Sequence, residues 1–180
     1  MKIYAVRHGL TRHNKLKILN GQRINEPLEP EGVLQAKETA KNLPKNITAI
    51  YSSPMLRTKQ TAEILNEKIN LEISYHKELT EIDFGSFTGR SWVDINKEYK
   101  ENIQNIYISQ KYNFEPFNNG ESVQTVKNRI IKIFDEIKGK KHDGNVLIVT
   151  HGGILRALYH IYKGYEIEGA ENASIHEFEI

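Results

Sequence analysis

Three short segments of this 180-residue chain concentrate the side chains that could do chemistry. They are Arg7-His8-Gly9, Ser52-Ser53-Pro54 with Arg57 close behind, and His151-Gly152-Gly153. Each follows a run of apolar residues that reads as a buried strand. The planar guanidinium of arginine presents parallel N–H donors that match phosphate oxygens. Glycine lets backbone N–H groups approach an anion, and the start of a following helix favours negative charge. Two arginines and two histidines gathered without an anion would repel one another. The set describes an anion pocket, most naturally one for a phosphoryl group.

What the chain lacks narrows the reaction. There is no cysteine, which removes a thiolate nucleophile, a disulfide framework and thiolate-held metals. No G-x-x-x-x-G-K-[ST] loop is present, so P-loop nucleotide hydrolysis is set aside. Neither an Asp-x-Asp pair nor an H-E-x-x-H motif occurs, so neither an aspartyl nucleophile nor a two-metal hydrolase is expected, and the metal set is none. Histidine itself remains, and histidine can carry a phosphoryl group covalently.

For the three segments to meet, strands must alternate with helices. Residues 2–6 read as a first strand. Residues 31–43 read as a helix carrying Val33, Leu34, Ala36, Ala40 and Leu43, stopped by Pro44. A second strand is expected at 48–51, then a helix over 55–69 with Leu56, Ala62, Leu65 and Ile69 on one face. Leu71, Ile73 and Tyr75 alternate as a third strand would, and 77–90 reads as a structured loop. The aromatic stretch 91–119 reads as helix plus irregular cover; Trp92 to Phe117 could shape a pocket or belong to the core. An amphipathic helix over 121–137 precedes the clearest strand, 146–149, which runs into a helix over 154–162, and a last strand is expected at 174–180. This alternation implies an α/β fold of three layers, a mostly parallel sheet with helices on both faces. In such sheets ligands bind beyond the carboxyl ends of the strands. No repeat or linker interrupts the chain, so residues 1–180 are expected to form one domain.

A net charge of +2, with 25 Lys and Arg against 23 Asp and Glu, offers no concentrated basic face for nucleic acid. No run approaches the ~20 apolar residues of a membrane span, and the apolar start is too short for a signal peptide. A cytoplasmic location is expected, with a small phosphorylated metabolite as partner, no nucleic acid, no membrane, and a monomer or homodimer as the working form.

The motifs fall in one order along the chain: Arg7-His8-Gly9-Leu10-Thr11-Arg12-His13-Asn14; Asn20-Gly21-Gln22 followed by Pro27-Leu28 and Gly32; Ser52 through Ala62; Leu79-Thr80-Glu81-Ile82-Asp83-Phe84-Gly85; Gly120-Glu121-Ser122; and Val149-Thr150-His151-Gly152-Gly153. In that order the chain resembles the histidine phosphatase superfamily, also called phosphoglycerate mutase-like, nearly end to end. The resemblance implies that His8 is a nucleophile that becomes phosphohistidine. It implies that Arg7, Arg57 and His151 bind the transferring oxygens, and that Glu81 protonates the leaving oxygen and then activates water. Asn14, Gly21, Gln22 and Gly152 would contact phosphate or substrate, with no cofactor. Leu10 stands where many members have Glu. Thr88-Gly89 stands where many phosphatase members have Glu-Gly, which leaves Glu81 as the acid candidate of its loop.

Attack requires a neutral His8, which Arg7 and Arg57 should favour, and His151 would be useful charged against bound phosphate. Glu81 must be protonated to act as an acid, and Phe84 or Phe87 beside it would help. Mutases of the family resemble longer chains with an arginine-bearing insertion and a C-terminal tail. Here Arg90 is the arginine of residues 90–119. A phosphatase is expected, with mutase-type transfer or a non-catalytic phosphate-binding scaffold as the alternatives.

Overall fold

Val146, Leu147, Ile148 and Val149 are all fully buried, which requires cover on both faces of the strand that carries them. The computed structural model describes residues 1–100 and 119–180; the irregular cover expected beyond Lys100 lies outside the described residues. The elements are β1 (Lys2–Arg7), α1 (Arg12–Lys15), α2 (Pro30–Lys41), β2 (Ile47–Ser52), α3 (Leu56–Asn66), β3 (Ile73–Tyr75), α4 (Trp92–Tyr99), α5 (Val123–Gly139), β4 (Asn145–Thr150), α6 (Gly152–Leu158) and β5 (Ile175–Glu179). A π-helical turn, Tyr159–Lys163, continues α6. The five strands lie in the order β3-β2-β4-β1-β5. Four run parallel, and β5 joins β1 antiparallel.

Alternation along β4 divides the core. Val146 and Ile148 join Ile3 and Ala5 under α5 and α6, against Ile130, Ile133, Phe134, Leu155 and Leu158. Leu147 and Val149 join Val6 and Ile50 on the other face, against Ala62 and Leu65 of α3. The result is a three-layer α/β architecture. Among the described residues, no helix is long and apolar enough to cross a membrane.

Two apolar residues expected inward face outward. Leu34 is 67% exposed and Leu56 37% exposed. α2 presents Gly32 and Ala36 inward, because a Cβ at Gly32 would lie 2.2 Å from the Leu10 carbonyl oxygen. That close approach fixes the rotation of α2 and turns Leu34 out. α3 is rotated to bury Arg57, Thr61 and Leu65, one helical face at i, i+4 and i+8. Leu56, about 100° away, then meets solvent.

The register aligns the strand ends that matter. Arg7 pairs with Thr150, and Ser52 with Val149. The ladder continues one step further: His8 N–H donates to the Thr150 carbonyl at 3.0 Å and Ser53 N–H to the Val149 carbonyl at 3.0 Å. His8, Ser53 and His151 therefore leave the sheet at one edge.

Candidate active site

His8 is 2% exposed, and its Nδ1 lies 2.7 Å from the Gly9 carbonyl oxygen. A carbonyl oxygen only accepts, so Nδ1 carries the proton and Nε2 keeps its lone pair. Burial, then the charges of Arg57 and Arg7, hold the imidazole pKa well below its ordinary 6.5. At neutral pH the ring is uncharged.

His151 is fully buried beside it, with ring centroids 5.2 Å apart. Its Nε2 lies 2.9 Å from the Ser53 hydroxyl. Burial and Arg57 also push its pKa well down, so the charged form expected of it would have to come with a bound anion.

The two arginines reach the same place from different elements. Arg57 Nη1 donates to the Ile24 carbonyl at 2.9 Å and Nη2 to the Gly21 carbonyl at 3.0 Å. Arg7 Nη1 donates to the Ala170 carbonyl. Burial brings the Arg57 pKa down to about 10, and it stays cationic at neutral pH. Three buried nitrogens, Arg7 Nε, Arg57 Nε and His151 Nδ1, have no hydrogen-bond partner among the described residues. An unsatisfied buried donor costs about 1–3 kcal/mol, a cost that an oxyanion held here would relieve.

Glu81 follows a 3₁₀ turn, Lys77–Leu79. Its carboxylate accepts from Ile82 N–H at 2.9 Å and from Gly153 N–H at 3.3 Å. A cavity of about 300 Å³ is lined by Arg7, His8, Asn14, Gly21, Arg57, Glu81 and Gly152, with Phe84, Trp92, Lys17, Arg156 and Asn172 around them. Thus seven of the nine residues singled out in the sequence line one cavity, and His151 stands beside His8. Gln22 does not join them: its amide donates to Glu121 at 3.3 Å, because the turn after Gly21 swings it toward that carboxylate. Phe84 lines the cavity and packs edge-to-face on Trp92. Phe87 instead turns into the core against Tyr99.

Asn172 was not legible in the sequence. Its amide donates to the His8 carbonyl and to Asn14 Oδ1, both at 3.1 Å. Ala173 N–H adds a second bond to the His8 carbonyl at 3.2 Å. The segment before β5 thus closes over the candidate nucleophile, with Ala173 at φ +59°, a left-handed conformation that alanine does not advertise. Lys17 and Trp92 reach the cavity through a short antiparallel bridge between Ile18 and Ser91, a long-range pairing without a local signal.

The model of the histidine phosphatase superfamily (branch 1) matches residues 3–180. Phosphoserine phosphatase 1 of Hydrogenobacter thermophilus is 29% identical over 180 residues, covering 97% of this chain and 84% of that protein. The metal-independent phosphoserine phosphatase of Arabidopsis thaliana is 33% identical over 162 residues, covering 88% and 67%. The crystal structure of a phosphoglycerate mutase from Bacillus anthracis superposes with a TM-score of 0.83 at 26% identity, covering 98% of this chain and 86% of that one.

Proposed function

This chain belongs to the histidine phosphatase superfamily, branch 1, and from that premise we propose that it hydrolyses small phosphomonoesters through a phosphohistidine on His8. The observation that carries this reading is the meeting of a neutral His8, its Nε2 lone pair available, with two buried guanidinium N–H donors, Arg7 Nε and Arg57 Nε, that have no partner among the described residues. A phosphoryl dianion takes those donors, and the charges of Arg7 and Arg57 balance its own. Nε2 of His8 attacks phosphorus, forming an N–P bond as the ester P–O bond breaks. Glu81, in its protonated form, gives its proton to the departing oxygen. The carboxylate then takes a proton from water, whose oxygen attacks the phosphohistidine and releases phosphate.

A cavity of about 300 Å³ lies at the lower end of small-molecule sites, which suits a compact phosphorylated metabolite. Both curated relatives described above bear the name phosphoserine phosphatase, so O-phosphoserine is the first substrate to assay. Mutase-type transfer is the alternative reading; it needs a second anion site on the protein, for which Lys17 and Arg156 of the cavity lining are the candidates. Arg90, the arginine of residues 90–119, is paired with Glu98 and lies over the Phe87 ring. A reducing cytosol suits a chain without cysteine.

The test is His8→Ala, which should abolish turnover while leaving circular dichroism and the unfolding midpoint near wild type. Wild-type protein quenched in base after brief exposure to substrate should carry an acid-labile, base-stable phosphoryl group on His8. A variant active within about tenfold of wild type, far less than the loss of a nucleophile brings, overturns the assignment. So does a phosphoryl group found on Ser, Thr or Asp.

A further inference from the structure

Gly120-Glu121-Ser122, a motif to which the reaction gives no role, leads into α5 and to an arginine one face further along it. The Arg129 and Glu121 side chains are only 13% and 9% exposed and form an ion pair. A guanidinium has five N–H donors, and all five of Arg129 are used. Nε and Nη2 donate to the two Glu121 oxygens at 2.6 and 3.0 Å. Nη1 donates to the carbonyls of Glu78 at 2.5 Å and Thr80 at 2.8 Å, and Nη2 to the carbonyl of Glu81 at 3.3 Å.

The carbonyl left between them, Leu79, accepts from the Thr150 hydroxyl at 2.8 Å. Four consecutive carbonyls, 78 to 81, are therefore held by side chains of α5 and β4. A surface loop ordinarily leaves such groups to water. The grip falls on the peptides on both sides of Glu81, since the Thr80 carbonyl precedes its nitrogen and the Glu81 carbonyl follows its Cα. Glu121 extends the hold by accepting from Asp83 N–H at 3.3 Å. With the backbone fixed from 78 to 83, the direction in which the Glu81 side chain leaves the chain is fixed too.

We propose that Arg129, oriented and charge-compensated by Glu121, is the positioning residue of the candidate acid. The inference rests on the phosphatase reading above. It assigns Arg129 no contact with substrate; its positioning effect passes through Glu81, while its charge also contributes to keeping the His151 pKa low. Lysine cannot substitute, because three donors on one nitrogen cannot span two carboxylate oxygens and three carbonyls.

The experiment is a double-mutant cycle of Arg129→Lys with Glu81→Gln, read by single-turnover formation of phosphohistidine from O-phosphoserine and from p-nitrophenyl phosphate. An alkyl ester needs its leaving oxygen protonated, whereas p-nitrophenolate departs almost unaided. Arg129→Lys should slow phosphorylation by O-phosphoserine about 10²-fold, the usual effect of misplacing a reacting group by about 1 Å. With p-nitrophenyl phosphate the loss should stay within about fivefold. In the Glu81→Gln background the same change should add less than about threefold, because residues that act as one unit do not add.

Equal slowing of both substrates, or losses that multiply in the double variant, overturn the proposal and leave the phosphatase reading standing. Wild-type protein that forms no phosphohistidine with either substrate overturns both. Thermal unfolding is followed throughout. If Arg129→Lys does not fold, Glu121→Gln, which keeps the arginine and removes its charge partner, takes its place in the same cycle with the same expected pattern.

Discussion

A single methyl group placed at Gly153 should separate the candidate acid, Glu81, from the candidate phosphate-binding residues Arg7 and Arg57. A Cβ built there lies 2.4 Å from Glu81 Oε1 and 2.8 Å from Ile82 Cδ1. Ordinary van der Waals contact begins near 3.4 Å, so the carboxylate must retreat by about 1 Å, a displacement that can cost about 10² in rate. In barrier height that is about 2.7 kcal/mol, at about 1.4 kcal/mol per tenfold. The backbone can tolerate the change, because Gly153 is not among the glycines at positive φ and both contacts are with side chains. Alanine is also the better helix former by about 1 kcal/mol, which offsets part of the overpacking against buried Ile82, so the unfolding midpoint of Gly153→Ala should stay within about 8 °C of wild type. The assay is kcat/KM for O-phosphoserine and for p-nitrophenyl phosphate, with vanadate inhibition as a measure of oxyanion binding. The expected pattern is a loss near 10² for the first, a small loss for the second and an unchanged vanadate constant. Wild-type activity toward O-phosphoserine, or vanadate affinity that falls in parallel, would refute the placement of Glu81.

Gly32→Ala should act on the fold instead. Its Cβ would lie 2.2 Å from the Leu10 carbonyl oxygen and 2.6 Å from Leu10 N, backbone against backbone, and overpacking of that kind costs about 3 kcal/mol. Urea denaturation measures it, and a loss below about 1 kcal/mol would contradict the close seating of α2. His8 and His151 both have pKa values held well below 6.5 by burial and Arg57. Between those depressed values and 6.5 the unfolded chain binds protons that the native protein does not, so stability rises with pH. The contribution is fully present above about pH 6.5 and is lost as pH falls toward the folded values. Chemical denaturation between about pH 7.5 and 5.5 should show this fall, and His8→Ala should reduce it; an unchanged slope in the variant would count against a neutral buried pair.

The sheet was legible because fully buried strands need uninterrupted apolar runs, and residues 2–6 and 146–149 supply them. The basic residues at the strand ends were legible because Arg7, His8 and His151 stand within two residues of the ends of those runs. Rotation of the helices was harder to read. Leu34 and Leu56 look like core residues by type, yet a Gly32 backbone contact and the burial of Arg57 turn them outward. Gln22 sits in the right motif and faces Glu121 instead. Arg129 lies beside the stripe of Val126, Ile130, Ile133 and Ile137, and a cation bordering an apolar stripe is the signal that could have marked it. Asn172 and Ala173 left no such trace, since their contacts with His8 depend on a left-handed alanine.

The strand order also governs when the site can exist. β1 comes first in the chain, but its two neighbours, β4 and β5, both lie beyond residue 144. Contacts between such distant segments form slowly, because a large loop must close before they reward the chain. A ribosome therefore releases Arg7 and His8 long before Thr150 and His151 can pair with them. The earlier half can assemble only β2 beside β3, which brings neither Arg7 nor His8 to His151. Insertion of β1 between β4 and β5 completes the sheet and brings Arg7 and His8 to His151 in one event. Recovery of phosphatase activity on refolding should then coincide with the last burial of the core, with no active precursor before it.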